Sequence, residues 1–263
     1  MAVKPTITAY GGGVEQFPIF LNRAFTDYSY ERAERDFAKF IFQTAKSSPT
    51  GFFNLQGANG QVIPEVINAR KMPNVNAIGQ DNLTDITLVL RNGRMLRVNT
   101  KGSFAPIITH NNIFSVFAGA PAMTKKFIST VITKYKGMGF KDNQLITGNV
   151  PPIYAELRGE HNRKMVVGTP QLGGPVDFFF EGQPSGQYDE EQNVVTMQAS
   201  ILDALSLAKT KPYFLVCQPP PAGARFSFTQ RDIRGMPIIH TGGRSVNLVD
   251  RSFVPAGSTV IRI

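Results

Sequence analysis

Asp85-Ile86-Thr87-Leu88-Val89-Leu90-Arg91-Asn92-Gly93-Arg94-Met95-Leu96-Arg97-Val98-Asn99-Thr100-Lys101 reads as a β-hairpin. Asn92-Gly93 supplies the turn, because both residues tolerate the positive φ that tight turns demand. The register decides what the hairpin presents. A two-residue loop pairs Leu90 with Met95 and mixes apolar and charged groups on each face. A three-residue loop closed by a glycine bulge pairs Leu90 with Arg94, Leu88 with Leu96 and Ile86 with Val98. That register gathers Ile86, Leu88, Leu90, Leu96 and Val98 on one face. It places Asp85, Thr87, Arg97, Asn99 and Lys101 on the other. A one-residue slip would flip the whole apolar set, so the bulged register is expected. A carboxylate, an amide and an ammonium then cluster at the open end.

Helical spacing appears upstream. Tyr30, Ala33, Phe37, Phe40, Ile41 and Thr44 predict a helix from Thr26 or Asp27 to about Lys46. Glu31, Arg32, Glu34, Arg35 and Lys39 are assigned to or beside its solvated face. Gln61–Pro64 and Val66-Ile67 suggest short extended pieces, and 74–81 a surface loop. Downstream, a second helix is predicted from Pro121 or Ala122. Its apolar stripe is Phe127, Val131 and Tyr135, and Gly137 stops it. Lys125, Lys126, Lys134 and Lys136 make this helix basic.

Strands are expected over 165–169 and 176–181, joined by a turn at 171–175. An exposed acidic loop is expected over 182–193, a third helix over 194–208 and a buried strand over 213–218. The remainder, 224–263, reads as β-rich. These elements predict an α/β or α+β fold with a mixed β-sheet flanked by helices and a β-rich C-terminal region. The expected organisation is a helix-plus-hairpin core in 1–136 and a β-rich second half in 137–263, either a second domain or part of the same one, with 137–152 as the best candidate seam where no boundary stands out.

The chain has 263 residues, enough for one large or two small cores. Twenty Phe and no Trp point to a core of Phe, Leu, Ile and Val. The net charge is +9, which favours polyanions, chiefly DNA or RNA. Arg225, Arg231, Arg234 and Arg244 add arginine suited to bidentate phosphate contact. Cys217 is the sole cysteine and lies in an apolar run, which excludes a disulfide framework and predicts a buried thiol. Residues 1–6 show no signal-peptide core, and no apolar run approaches the roughly 18 residues of a spanning helix. A cytoplasmic protein without a membrane partner is therefore expected. Gly11-Gly12-Gly13 and Gly173-Gly174 match no phosphate-loop or dinucleotide fingerprint.

The order is a helix, an Asp-bearing strand, a turn, a strand ending in Asn99-Thr100-Lys101 and a basic helix. It resembles the core of the PD-(D/E)XK, or restriction-endonuclease-like, nucleases. That family places an Asp at the start of one strand and an acid-x-Lys at the end of the next. The resemblance implies that Asp85 is a metal ligand for a divalent cation such as Mg²⁺. It makes Lys101 the lysine that supports the nucleophile or the developing charge, and Glu31 or Glu34 the helix acid. Asn99 stands where the family carries Asp or Glu, so the resemblance implies nucleic-acid binding more firmly than cleavage. Charge, not the resemblance, nominates the phosphate-contacting set Arg97, Lys125, Lys126, Lys134, Arg225, Arg231, Arg234 and Arg244, against the plainer readings of a solvated face for the lysine helix and edge-strand charge for the C-terminal arginines. Segments 101–106 and 173–177 also resemble proteins of large tailed bacteriophages. Asp177 and Glu181, four residues apart on a strand, read as the marked ends of that strand or as a source of a further acid. Two other readings stand beside these. One is a non-catalytic single-strand binder, stacking bases on Phe226 and Phe228 beside Arg225. The other is a viral structural or assembly protein.

Overall fold

The computed structural model describes residues 27–73, 83–101, 121–170, 173–217, 222–230, 239 and 246–263. It is a mixed α/β protein with an eight-stranded and a four-stranded sheet and, among the described residues, four α-helices. These residues fall into two units. The first takes those of 1–105 and 173–206, and the second those of 106–172 and 207–263. This division differs from a seam at 137–152. In sequence, the chain passes from the first unit to the second, returns to the first and ends in the second.

The first unit opens with α1, Asp27–Ser47. Strands β1 (Phe53–Gln56), β2 (Val62–Lys71), β3 (Ile86–Leu90) and β4 (Met95–Lys101) follow. After the second unit's first part come β6 (Phe178–Glu181), β7 (Gly186–Asp189), β8 (Val194–Met197) and β9 (Ser200–Asp203). The sheet order is β7-β8-β1-β2-β3-β4-β6-β9. Strands β2, β3 and β4 form an antiparallel meander, and β6 runs parallel to β4. Adjacent parallel strands need a crossover, and residues 106–172 occupy this one.

The hairpin takes the bulged register. Ile86 pairs with Val98, Thr87 with Arg97 and Leu88 with Leu96. The Leu90 N–H donates to the Arg94 carbonyl at 2.9 Å, and Gly93 sits at φ 82°. Ile86, Leu88, Leu90, Leu96 and Val98 are all buried. They share one core with Phe37, Phe40 and Ile41 of α1 and with Phe53, Leu55 and Phe180. The helical stripe and the hairpin face are two sides of the same apolar layer.

The second unit holds α2 (Pro121–Gly137), β5 (Ile153–Glu156) and α3 (Gly159–Val167). It continues with β10 (Tyr213–Cys217), β11 (Val246–Asp250), a 3₁₀ turn (Arg251–Phe253) and β12 (Thr259–Arg262). Helix α4 (Ala204–Thr210) carries the chain from one unit to the other. The four-stranded order is β11-β10-β5-β12, with β12 parallel to β5.

Three expected elements are corrected. Met165–Val167 belong to α3, not to a strand. Their β-branched residues form the buried face of a short helix ended by Gly168 at φ 85°. The 194–208 stretch is two strands and the start of α4, not one helix. Val194 to Thr196 pair with β1, and Leu205 is 41% exposed. The expected acidic loop contains β7, which pairs with β8. There Gly186 lets the strands close, since a Cβ would stand 2.7 Å from Val195 Cγ1. Gly11-Gly12-Gly13, the Thr26 helix start and the 74–81 loop lie outside the described residues.

Candidate acid–lysine site

Asp85 sits immediately before β3, at the open end of the hairpin. Its backbone is clamped on both sides. The Asp85 N–H donates to the Val98 carbonyl at 2.9 Å, and its own carbonyl accepts from the Met72 N–H at 2.8 Å. Its carboxylate meets Thr100. Oδ2 accepts the Thr100 N–H at 2.7 Å and lies 3.1 Å from Thr100 Oγ1.

Thr100 Oγ1 also lies 2.8 Å from Oε1 of Glu34 on α1. The other oxygen of Glu34, Oε2, is 2.7 Å from Lys71 Nζ at the end of β2. Lys71 donates further to the Met72 carbonyl at 2.9 Å. Glu34, expected on or beside the solvated face, is buried. The reason is helical phase. Glu34 precedes Phe37 by three and Ile41 by seven, which puts it on the apolar stripe. Its charge hid that position in the sequence.

One threonine hydroxyl carries one proton. Thr100 Oγ1 faces two carboxylate oxygens, so it donates to only one while both acids are ionised. The contact is satisfied when Asp85 holds a proton. The electrostatics agree. Burial first, and then the Glu34 charge, push the Asp85 carboxyl up to about 7. Lys101, the Thr100 N–H and Lys71 oppose that rise.

Asn99 does not join the acids. Its Nδ2 donates to the Leu83 carbonyl, and its side chain is 3% exposed. Its Oδ1 is buried without a hydrogen-bond partner among the described residues. Asn99 therefore ties the segment that carries Asp85 to β4, a task that needs an N–H donor and that a carboxylate cannot perform. Thr84 reinforces the same segment by donating to the Gly173 carbonyl at 2.6 Å.

Lys101 ends β4, and its charge acts on Asp85. It stands in register with Glu181 on the parallel β6. Asp177, at the other end of that strand, accepts the Arg97 N–H at 2.8 Å and lies 3.7 Å from Arg94. Asp177 and Glu181 thus serve opposite ends of the sheet. The Arg97 guanidinium donates to the Gly174 carbonyl at 2.7 Å.

The second unit carries the other expected residues. Lys125, Lys126 and Lys134 are exposed on α2. Arg225 is exposed and donates to the Asn143 carbonyl at 2.9 Å. Phe226 and Phe228 are 1% and 6% exposed, packed with Tyr135 and Phe140, so they offer no platform for bases. Cys217 is buried, and burial pushes its thiol up to about 12, as a core cysteine requires. Glu31 lies on α1, its side chain outside the described residues. Arg231, Arg234 and Arg244 also lie outside them.

Sequence reasoning missed Thr100 and Lys71. Thr100 is the variable position of the acid-x-Lys spacing, and Lys71 reaches the site only through the β2–β3 pairing. Among the described residues no three His, Cys, Asp or Glu side chains converge on a metal position. No helix among them is long and apolar enough to cross a membrane. Compared with known proteins, the chain matches no protein-family model, no curated protein and no solved structure.

Proposed function

We propose that this protein binds nucleic acid on a nuclease-like scaffold, with phosphodiester hydrolysis as the chemistry that its acid–lysine site fits. One observation carries the reading. Glu34 of the preceding helix and Asp85 at the head of one strand meet at Thr100, next to Lys101 at the end of the following strand. The resemblance noted in the sequence places an acid, an acid and a lysine in the same three roles. The +9 charge supports a polyanionic partner.

The donor set suits a hard divalent cation. Once Asp85 gives up its proton, two desolvated carboxylates face one hydroxyl and repel each other, and one or two carboxylates with water and substrate phosphates are what Mg²⁺ uses. Asp85 and Glu34 would hold the ion, which supplies an activated water and neutralises developing charge. The protein's own residues do the rest. Lys101 stabilises negative charge on the phosphate. Lys71 holds Glu34 in place. Thr100 orients both acids through its hydroxyl, and Asn99 fixes the segment bearing Asp85.

The test is incubation with labelled single- and double-stranded DNA and RNA, in Mg²⁺, Mn²⁺ or EDTA, scoring binding and cleavage together. Metal-dependent cleavage that is lost in Asp85→Ala and in Lys101→Ala is the expected result. Binding with no cleavage would leave a binding protein on this scaffold. Absence of both would overturn the reading. The single-strand alternative has lost its stacking residues, because Phe226 and Phe228 are core.

A further inference from the structure

Helix α2 differs in charge from the chain's other long helix and from α3. Helix α1 mixes four acids with four bases, and α3 pairs Glu160 with Arg163 at 2.7 Å and with Lys164 at 3.9 Å. These are the interleaved charges of a solvated helix. The 17 residues of α2 contain four lysines and no acid. Lys125, Lys126, Lys134 and Lys136 are all exposed, and none has an ion pair with a described residue. Lys136 lies 5.8 Å from the Phe228 ring centroid, which steadies its stem against the unit.

The lysines are arranged rather than scattered. At 100° per residue, Lys125 and Lys136 lie within roughly 20° of each other on one edge of the exposed face. Lys134 lies on the opposite edge, about 160° from Lys136, and Lys126 lies between the two edges, about 80° from Lys134. Ser129 and Thr133 fill the space between the first edge and Lys126 with small side chains, and Thr130 fills that between Lys126 and Lys134. Thr130 donates back to the Lys126 carbonyl at 2.9 Å, and Thr133 to the Ser129 carbonyl at 3.0 Å. Those hydroxyls stay close to the helix and leave a low saddle between the ammonium groups. Along the axis Lys125 and Lys136 are separated by about 16 Å, and Lys126 and Lys134 by about 12 Å.

We infer that this four-lysine face of α2 binds the phosphate backbone of duplex nucleic acid, seated across a major groove and without reading sequence. This rests on the nucleic-acid reading above and assigns it a surface. Charge complementarity selects a polyanion. The spacing selects a duplex, since the major groove is about 12 Å wide and the minor groove about 6 Å. The face carries no aromatic, so it lacks the stacking platform that single-strand binders use. The aromatics of α2, Phe127 and Tyr135, are buried.

The experiment measures the salt dependence of binding to a fluorescent 20-base-pair duplex and to its single strands. Three proteins are compared. They are the wild type, a variant with Lys125, Lys126, Lys134 and Lys136 replaced by Gln, and a charge-matched control with Lys39, Lys46, Lys209 and Lys211 replaced by Gln. Each phosphate contact contributes about 0.9 to the slope of log K against log salt on duplex. The α2 variant should therefore lose about 3 to 4 from that slope, and the control less than 1. Ser129→Glu, which adds an acid to the saddle and leaves every lysine in place, should weaken duplex binding at least tenfold. Its circular dichroism should match the wild type.

Equal losses in the α2 variant and the control would overturn the inference, because net charge alone would then act. So would tighter binding of wild type to single strands. A duplex affinity unchanged in the α2 variant would sink this surface and leave nucleic-acid binding standing. A wild type that binds neither duplex nor single strand would remove both. Phosphatidylserine vesicles form the last arm, and loss of vesicle binding in the α2 variant with duplex binding intact would assign the face to a membrane instead.

Discussion

Asn99 shows how one side chain can occupy a catalytic position in the sequence and do structural work in the fold. Its amide N–H reaches the Leu83 carbonyl, and 3% exposure leaves no water to take over. Asn99→Asp would restore the acid of the resembled family yet remove that donor and bury a charge. The expected cost is about 2 to 4 kcal/mol, read as a lower urea midpoint, with no gain in metal-dependent cleavage. A variant that cleaves better at unchanged stability would reverse this assignment. Asp85 makes a second prediction. Its carboxyl titrates near 7 in the folded protein against 3.8 in the unfolded chain. The folded state therefore holds a proton that the unfolded state has released between those values. This contribution to stability is fully present below about 4 and is lost as pH rises through about 7. Denaturation of metal-free protein at pH 5 and pH 8 should show the decline, and Asp85→Asn should flatten it. At this scale Asp85 and Lys101 were legible from strand position and spacing. Glu34 was legible only by letting helical phase outrank charge. Thr100 and Lys71 were not legible, because strand pairing and the packing of α1, rather than local sequence, bring them in.

The elements that read clearly are those whose local pattern and tertiary burial agree. The hairpin of β3 and β4 had one register that kept five apolar residues together, and the same five line the core. Gly93 completes that turn at φ 82°, with open space where a Cβ would go. Gly93→Ala should then cost about 1 kcal/mol through backbone strain alone, measured by thermal denaturation, with the β3–β4 register kept. Helix α2 matches its stripe and its glycine stop in the same way. The misread elements are those where local signal and pairing diverge. Val166-Val167 favour strand by their branching, but Asn162, one turn before Val166, is buried with them and Met165 and makes the segment an amphipathic helix. Residues 194–203 carry an apolar spacing that mimics a helix, and the parallel partner β1 turns them into strand. Long-range pairing of that kind leaves no mark within a local window.

At the scale of the whole molecule, the chain crosses between the two units more than once. It leaves the first unit after β4 and returns at β6 in register, Val98 beside Phe178 and Lys101 beside Glu181. A sequence reader sees a basic helix following the hairpin and joins the two. Contacts instead give that helix to the unit holding β5 and β10. The second unit has its own polar fastening. Asn162 on α3 is buried and donates to the carbonyls of Ala208 at 2.7 Å and Lys211 at 2.9 Å. It also accepts the Tyr213 N–H at 3.2 Å. One side chain thus joins α3, the end of α4 and the head of β10. Asn162→Ala strands two carbonyls and one N–H in the interior, at an expected cost of about 2 to 4 kcal/mol. Because each unit carries its own sheet, that loss should be local. In hydrogen exchange of the full chain, amides of β5 and β10 should lose protection while those of β3 and β4 keep theirs. Uniform loss across both sheets would mean that the two units unfold as one.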